Sequence, residues 1–404
     1  MAPRYTYNVW QQIYSLSAAS NLVAAKIATE ADLQAAMEKA LDKKLPTING
    51  DWQVSWGPRV YKPNPEKKGP VENVWFAAVS EEQKLIVVAV AGTAPPSIRD
   101  WFDDFDVARV VNFDNWVASW NNNNGVPKPE VDKTPDTLSH AYCANGTATG
   151  VYNILSNKAA ASDTYLWQYL QGVTPDYTVV FTGHSMGGAL SPTLALGLRR
   201  ANMIGAAGRD VKAYTMPSAG PTPGNAQFVA AYEQAYPFTR GDPAAPDYGA
   251  YNGDLFNTND IVPQAWSVVP TDDRNLGRIT GGIYTFARLD GSWKLYATAA
   301  LLTGLAIRRS GSSKIRYQPI APNAFTATDS LPKVVDSAAV LATSIVRNHT
   351  FSYWNHIAID GFVTEFNDHV VAQPGVDEPP TDAAALGVDM DAESFDPVPE
   401  SDLE

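Results

Sequence analysis

The segment "KLIVVAVAG", Lys84 to Gly92, most restricts how this chain can fold. A near-continuous apolar run without polar alternation reads as a strand covered on both faces, as in a mainly parallel central sheet. "VWFAAVS" precedes it across the polar "EEQK", and "YTVVFTG", "VKAYTMP" and "LFNTN" follow later with helical patterns between them. Strands alternating with helices predict an α/β fold whose functional site lies at the carboxyl end of the sheet.

At 404 residues the chain can bury a sizeable core. Residues 8–41 read as two helices packed outside the sheet, with apolar positions near helical spacing. Residues 111–137 and 236–252, rich in Asn, Pro and Gly, read as surface excursions. Val376 to Glu404 holds ten Asp and Glu and no Lys or Arg, which is most of the net charge of −13. With few large apolar side chains, that segment cannot offset the entropy of ordering, so residues 373–404 are expected to be a disordered acidic tail after one domain spanning 1–372.

The acidic balance, and the lack of any Lys or Arg cluster with interleaved aromatics, argues against nucleic acid as a partner. Cys143 is the only cysteine, which excludes an internal disulfide framework and Cys-based zinc sites. Five histidines without an H-E-x-x-H pattern, and no phosphate-binding or dinucleotide fingerprint, lead us to expect neither a metal nor a cofactor. The longest apolar run, "ATAALLTGLAI", falls short of the ~20 residues that cross a bilayer, so no transmembrane span is expected. The start "MAPRYTYNVWQQIY" lacks the features of a signal peptide; the chain would be cytoplasmic if this N-terminus is native and secreted if a signal was removed. Glycosylation sequons occur at Asn145 and Asn348 and weigh little in that choice.

"TVVFTGHSMGGAL", Thr178 to Leu190, sets a strand-forming run against a helical one with Ser185 at the corner. Gly183 and Gly187 flank it at two residues' distance, the arrangement of a nucleophile elbow. Such a corner lifts the hydroxyl clear of the sheet and aims the next backbone N–H, that of Met186, at a developing oxyanion. Elbow enzymes place their partners in the order Ser, Asp or Glu, His, which sets aside His140 and His184 as structural and leaves His349, His356 and His369. For the acid, "LFNTNDIVP" ends a strand with Asp260 just beyond it, where a carboxylate could orient the imidazole.

Together these residues resemble the class 3 lipases, α/β-hydrolases that include fungal triacylglycerol lipases and bacterial relatives. "VVFTGHSMGGA" is similar to the family's serine motif, "AYTMPSAGPTPGNAQF" to its Gly-Pro strand and following helix, and "NTNDIVP" to its aspartate motif. "VAVAGTAPPSIRDWFDDF" resembles its oxyanion strand and the lid after it. The resemblance implies Ser185, Asp260 and a late histidine as a catalytic triad, and an oxyanion hole from Thr93 and Met186. "SYWNHIAIDGF" makes His356 the expected histidine, with "RNHTFSYW" offering His349 and "FNDHVV" offering His369. A lid is expected over about 95–107; Ile98, Trp101, Phe102 and Phe105 share one helical face that could cover an apolar acyl site.

The implied function is hydrolysis of acylglycerol or other apolar acyl esters by a serine carboxylester hydrolase, with a lipid or other ester as substrate and transient contact with a lipid interface. A catalytically silent binding or scaffolding domain, or an esterase for soluble feruloyl or short-chain esters, are the alternatives. Two departures from the family pattern stand out. Asp260 and the histidine candidates are far enough apart to imply an insertion over about 265–345, and Pro192 should kink or shift the helix after Ser185.

Overall fold

The structure, a computed structural model, describes residues 3–92, 105–120, 125–206, 209–240, 244–328 and 331–364. Twelve strands lie among them: β1 (Gln53–Tyr61), β2 (Asn73–Ser80), β3 (Leu85–Val90), β4 (Val110–Asn112), β5 (Val131–Asp132), β6 (Tyr142–Ala144), β7 (Thr178–His184), β8 (Lys212–Ser218), β9 (Gly224–Asn225), β10 (Asp254–Asn257), β11 (Tyr317–Gln318) and β12 (Pro322–Phe325). Seven form the main sheet in the order β1-β2-β3-β7-β8-β10-β12. From β3 to β12 every neighbouring pair is parallel; only β2, joined to β3 by the turn at Glu81–Lys84, runs against the rest. This is the mainly parallel, helix-flanked sheet expected from the sequence.

Strand β3 shows why its sequence is apolar throughout. Ile86, Val88 and Val90 join one core cluster, with the helices Asn145–Ser156, Leu166–Gln171 and Met186–Arg200. On the opposite face Leu85, Val87 and Ala89 pack beneath the N-terminal helices Val9–Ala19 and Glu30–Lys44 through Ile13, Leu16, Leu33 and Met37. With successive side chains pointing to opposite faces and both faces covered, no position on this strand can be polar at low cost.

The excursion expected over 111–137 is only partly superficial. It contains β4, a helix Phe113–Ala118 and β5, and Phe113, Trp116, Val117 and Trp120 are buried in the main core. Those four side chains follow helical spacing, which the surrounding Asn and Pro residues obscure. Residues 121–124 lie outside the described residues, as does the acidic tail over 373–404.

The segment 265–345 builds a third core cluster of its own. Trp266, Leu276, Ile283, Tyr284 and Leu295 pack there with Leu341 and Ile345 of the helix Ala338–His349, and Phe105 and Val110 complete it from elsewhere in the chain. A buried ion pair ties this segment to the sheet: Arg274 Nη1 lies 2.6 Å from Asp254 Oδ2 at the start of β10. Arg274 also donates to the carbonyl of Ile320 and lies 4.5 Å from the Phe256 ring. Within the described residues no helix is long and apolar enough to cross a membrane.

Candidate active site

Strand β7 ends at His184, Ser185 forms the corner, and the helix Met186–Arg200 begins at once. Ser185 holds φ 61° and ψ −124°, a backbone conformation that a side chain rarely adopts. The corner can be this tight because β3, β7 and the helix nearly touch: a Cβ on Gly187 would collide with the carbonyl oxygen of Val90, and one on Gly183 with that of Gly187. Gly92, at the end of β3, is pressed on the same corner, since a Cβ there would stand 2.8 Å from the His184 carbonyl oxygen and 3.1 Å from Ser185 Cβ. The helix runs from Met186 to Arg200 with Pro192, the residue expected to kink or shift it, inside it, so the proline does not end the helix.

The carboxylate comes from the loop after β10. Asp260 is fully buried, and its Oδ1 accepts the N–H of Val262 at 3.0 Å. Its Oδ2 lies 2.8 Å from His349 Nδ1 and accepts the Tyr353 hydroxyl at 2.9 Å. A carboxylate oxygen can only accept, so His349 Nδ1 carries the proton and the imidazole lone pair is on Nε2. The Tyr353 hydroxyl also accepts from the N–H of Asn257 at 3.0 Å. Burial, and the nearby Asp260 charge, push the Tyr353 phenol well above its ordinary pKa, so it remains a donor.

The structure brings His349, and not the expected His356, to Asp260. His356 stacks flat on Phe325, with ring centroids 3.9 Å apart, and its Nε2 lies 3.4 Å from Asp247 Oδ1. The helix carrying the late histidines breaks at Thr350: His349 ends one helix, and Phe351–Ile357 starts another that brings Tyr353 to Asp260 and carries His356 past it. His369 lies outside the described residues. His140 stands elsewhere, 3.5 Å from Asp114.

His184, set aside as structural from the sequence, is at the centre of the site. Its Nε2 donates to the backbone carbonyl of His349 at 2.7 Å, and its Nδ1 is 3.0 Å from Ser218 Oγ. Burial, and then the neighbouring His349, lower its pKa to about 3, so the ring is neutral and Nδ1 accepts from the serine hydroxyl. Asn257 adds a second tether, donating from Nδ2 to the carbonyl and Oδ1 of Asn348. Asn348 is thereby buried, which closes this sequon to a glycan in the folded chain. Neither His184 nor Asn257 carries a local sequence signal for these roles, because each acts on a segment far along the chain.

Ser185 and His349 line one cavity of about 230 Å³. Its other walls include Tyr14 and Ala18 from the N-terminal helix and Trp354, Ile357 and Val363 from the C-terminal segments. Met186, the residue after the serine, starts its helix beside Gly92. Thr93, Ile98, Trp101 and Phe102 lie outside the described residues. Phe105, the last of the expected lid residues, is buried edge-on against Trp266 with centroids 5.5 Å apart. Among the described residues no group of three or more His, Cys, Asp or Glu side chains gathers as a metal site.

Residues 87–269 match the model of the family described as Lipase (class 3). No curated protein matches the sequence. Among solved structures, M37 lipase is similar with a TM-score of 0.61 and 22% identity, over 91% of this chain and 99% of that one. The nonglycosylated LIP2 lipase of Yarrowia lipolytica is similar at a TM-score of 0.39 and 20% identity, over 67% of this chain and 80% of that one. The first of these is a likeness of fold, and the second is too partial to add to it. Residues 87–269 thus match the class 3 lipases, a family of lipase-type hydrolases, and the chain has the α/β-hydrolase fold.

Proposed function

We propose that the protein is a serine carboxylester hydrolase acting on esters with apolar acyl chains, with Ser185 as nucleophile, His349 as general base and Asp260 as the acid that orients it. The observation that carries this reading is the bond of 2.8 Å between His349 Nδ1 and Asp260, made by a histidine that shares its cavity with Ser185 at a strained elbow. His349 Nε2 takes the hydroxyl proton as Ser185 Oγ attacks the ester carbonyl. The N–H of Met186 holds the oxyanion, with Thr93 as its partner by resemblance to the family. His349 then returns the proton to the leaving alcohol, and water, deprotonated by the same nitrogen, releases the acid. Asp260, held by Val262 and Tyr353, stabilises the imidazolium in both halves.

Tyr14, Ala18, Trp354, Ile357 and Val363 favour an apolar acyl chain at the serine. The test is turnover of p-nitrophenyl esters, with labelling by a fluorophosphonate probe. Wild type should turn over and label, and Ser185→Ala should do neither. Absence of labelling in the wild type would instead favour a silent binding domain.

A further inference from the structure

The helix Trp293–Ser312 packs on the third core cluster through one face only, with Leu295, Thr303, Ala306 and Ser310 buried. Its opposite face is apolar and open: Trp293 is 72% exposed, Leu301 48%, Leu305 45% and Ile307 40%. Trp293, Ala297, Leu301 and Leu305 recur every four residues, one stripe along the helix surface. At its start Trp293 lies 4.8 Å from the ring of Phe286, itself partly exposed, which widens the stripe into an aromatic patch. Between Lys294 at one end and Arg308 at the other, about 20 Å apart, the helix carries no charge.

The charge of the sequence that contains this helix runs opposite to that of the chain. From Asn275 to Arg316 the sequence holds seven Lys and Arg and one acidic residue, Asp290, whereas the whole protein carries −13. An apolar stripe with an aromatic end, set among cations, is the pattern of a helix lying in the plane of an anionic lipid interface. Ser310 Oγ of this helix bonds the carbonyl of Trp266 at 2.8 Å, and Trp266 packs on Phe105. The helix that ends in His349 is rooted in the same cluster through Leu341 and Ile345. A surface that received this face would therefore lie against the segment whose core also roots the helix ending in His349. We propose that the exposed face of Trp293–Ser312 docks the protein on an anionic lipid bilayer.

The experiment is co-sedimentation of the full chain with vesicles of mixed phosphatidylglycerol and phosphatidylcholine, or of phosphatidylcholine alone, at low and high salt. Wild type should bind the anionic vesicles, less at high salt, and the neutral ones weakly. Leu301→Glu with Leu305→Glu should cut partitioning at least about tenfold, since each puts a charge where apolar surface was. Lys294→Gln with Arg308→Gln should cut it roughly fivefold for each charge removed. Thermal melting verifies that both variants fold, and neither it nor vesicle binding depends on Ser185 being the nucleophile. No binding by the wild type, or binding that neither pair of substitutions alters, overturns the proposal. So does a dimer in solution that Leu301→Glu dissolves while vesicles stay unbound, which would make the face a self-association surface. Vesicle binding that requires removal of residues 373–404 would identify the acidic tail as the occupant and overturn it equally.

Discussion

The ring of His184 donates a hydrogen bond of 2.7 Å from Nε2 to the backbone carbonyl oxygen of His349, although the two residues are 165 positions apart. The residue before the elbow serine thus fixes the main chain of the residue proposed as its base. The two rings lie 4.9 Å apart, and Tyr353 stands edge-on to His184 at 5.0 Å. The bond needs a proton on Nε2; in the neutral ring that burial enforces, Ser218 selects this tautomer by donating to Nδ1.

This neutrality has a pH cost. The folded-state pKa of His184 is lowered to about 3 from an unfolded value of 6.5, so its contribution to stability is complete above pH 6.5 and is lost as pH falls toward 3. The loss is at most ~1.4 kcal/mol for each pH unit in that window, and less in so far as the cavity wets the ring. Urea unfolding between pH 7 and 4 should show wild type losing stability more steeply than His184→Gln. Equal slopes would mean that His184 is charged in the fold.

Replacing the two candidate histidines should separate their roles. His349→Ala should lower kcat/KM for a p-nitrophenyl ester by about 10²–10⁴-fold, with some loss of melting temperature because Asp260 stays buried without its partner. His356→Ala should leave turnover within about twofold and cost roughly 1 kcal/mol of stability through its stack on Phe325. The reverse pattern would return the base to His356.

How far the site could be read from the sequence depended on how local its causes are. Strand β3 and the Ser185 corner were legible, because an apolar run covered on both faces and a pair of glycines where β7 meets the helix are local consequences of close packing. The choice between His349 and His356 was not. It is set by where the helix Ala338–His349 stops, and that helix is held by Trp266, Tyr284 and Leu295 of the 265–345 segment, whose packing has no local pattern. The helix at Phe113–Ala118 was missed for a different reason: its buried aromatics have the right spacing, but the Asn residues around them signal a loop.

The strain at Ser185 predicts a trade between activity and stability. A non-glycine residue at φ 61°, ψ −124° costs about 1–3 kcal/mol, and glycine relieves it while adding freedom to the unfolded chain. Ser185→Gly should therefore abolish ester turnover and raise unfolding free energy by roughly 1 kcal/mol. A variant that is both inactive and less stable would mean that the hydroxyl makes a structural bond.

Arg274 and Asp254 offer a test of how the 265–345 segment is held to the sheet. Both side chains are almost fully buried, and the guanidinium bonds Asp254 and the Ile320 carbonyl while Asp254 Oδ1 accepts the N–H of Gly220 at 3.0 Å. Burial raises the Asp254 pKa to about 7 even though Arg274 opposes the shift, so desolvation outweighs the attraction. Such a pair adds little net stability, but removing one member leaves a buried group uncompensated, at a cost of about 3–5 kcal/mol. Arg274→Met should lower stability by that amount in urea unfolding, whereas Asp254→Asn with Arg274→Met should recover much of it, since asparagine can still accept from Gly220. Because β10 leads directly to Asp260, the single variant should also slow ester turnover and the double variant should restore it in part. If the double variant is no more stable than Arg274→Met, the shape of the pair, rather than compensation of its charge, holds the segment in place.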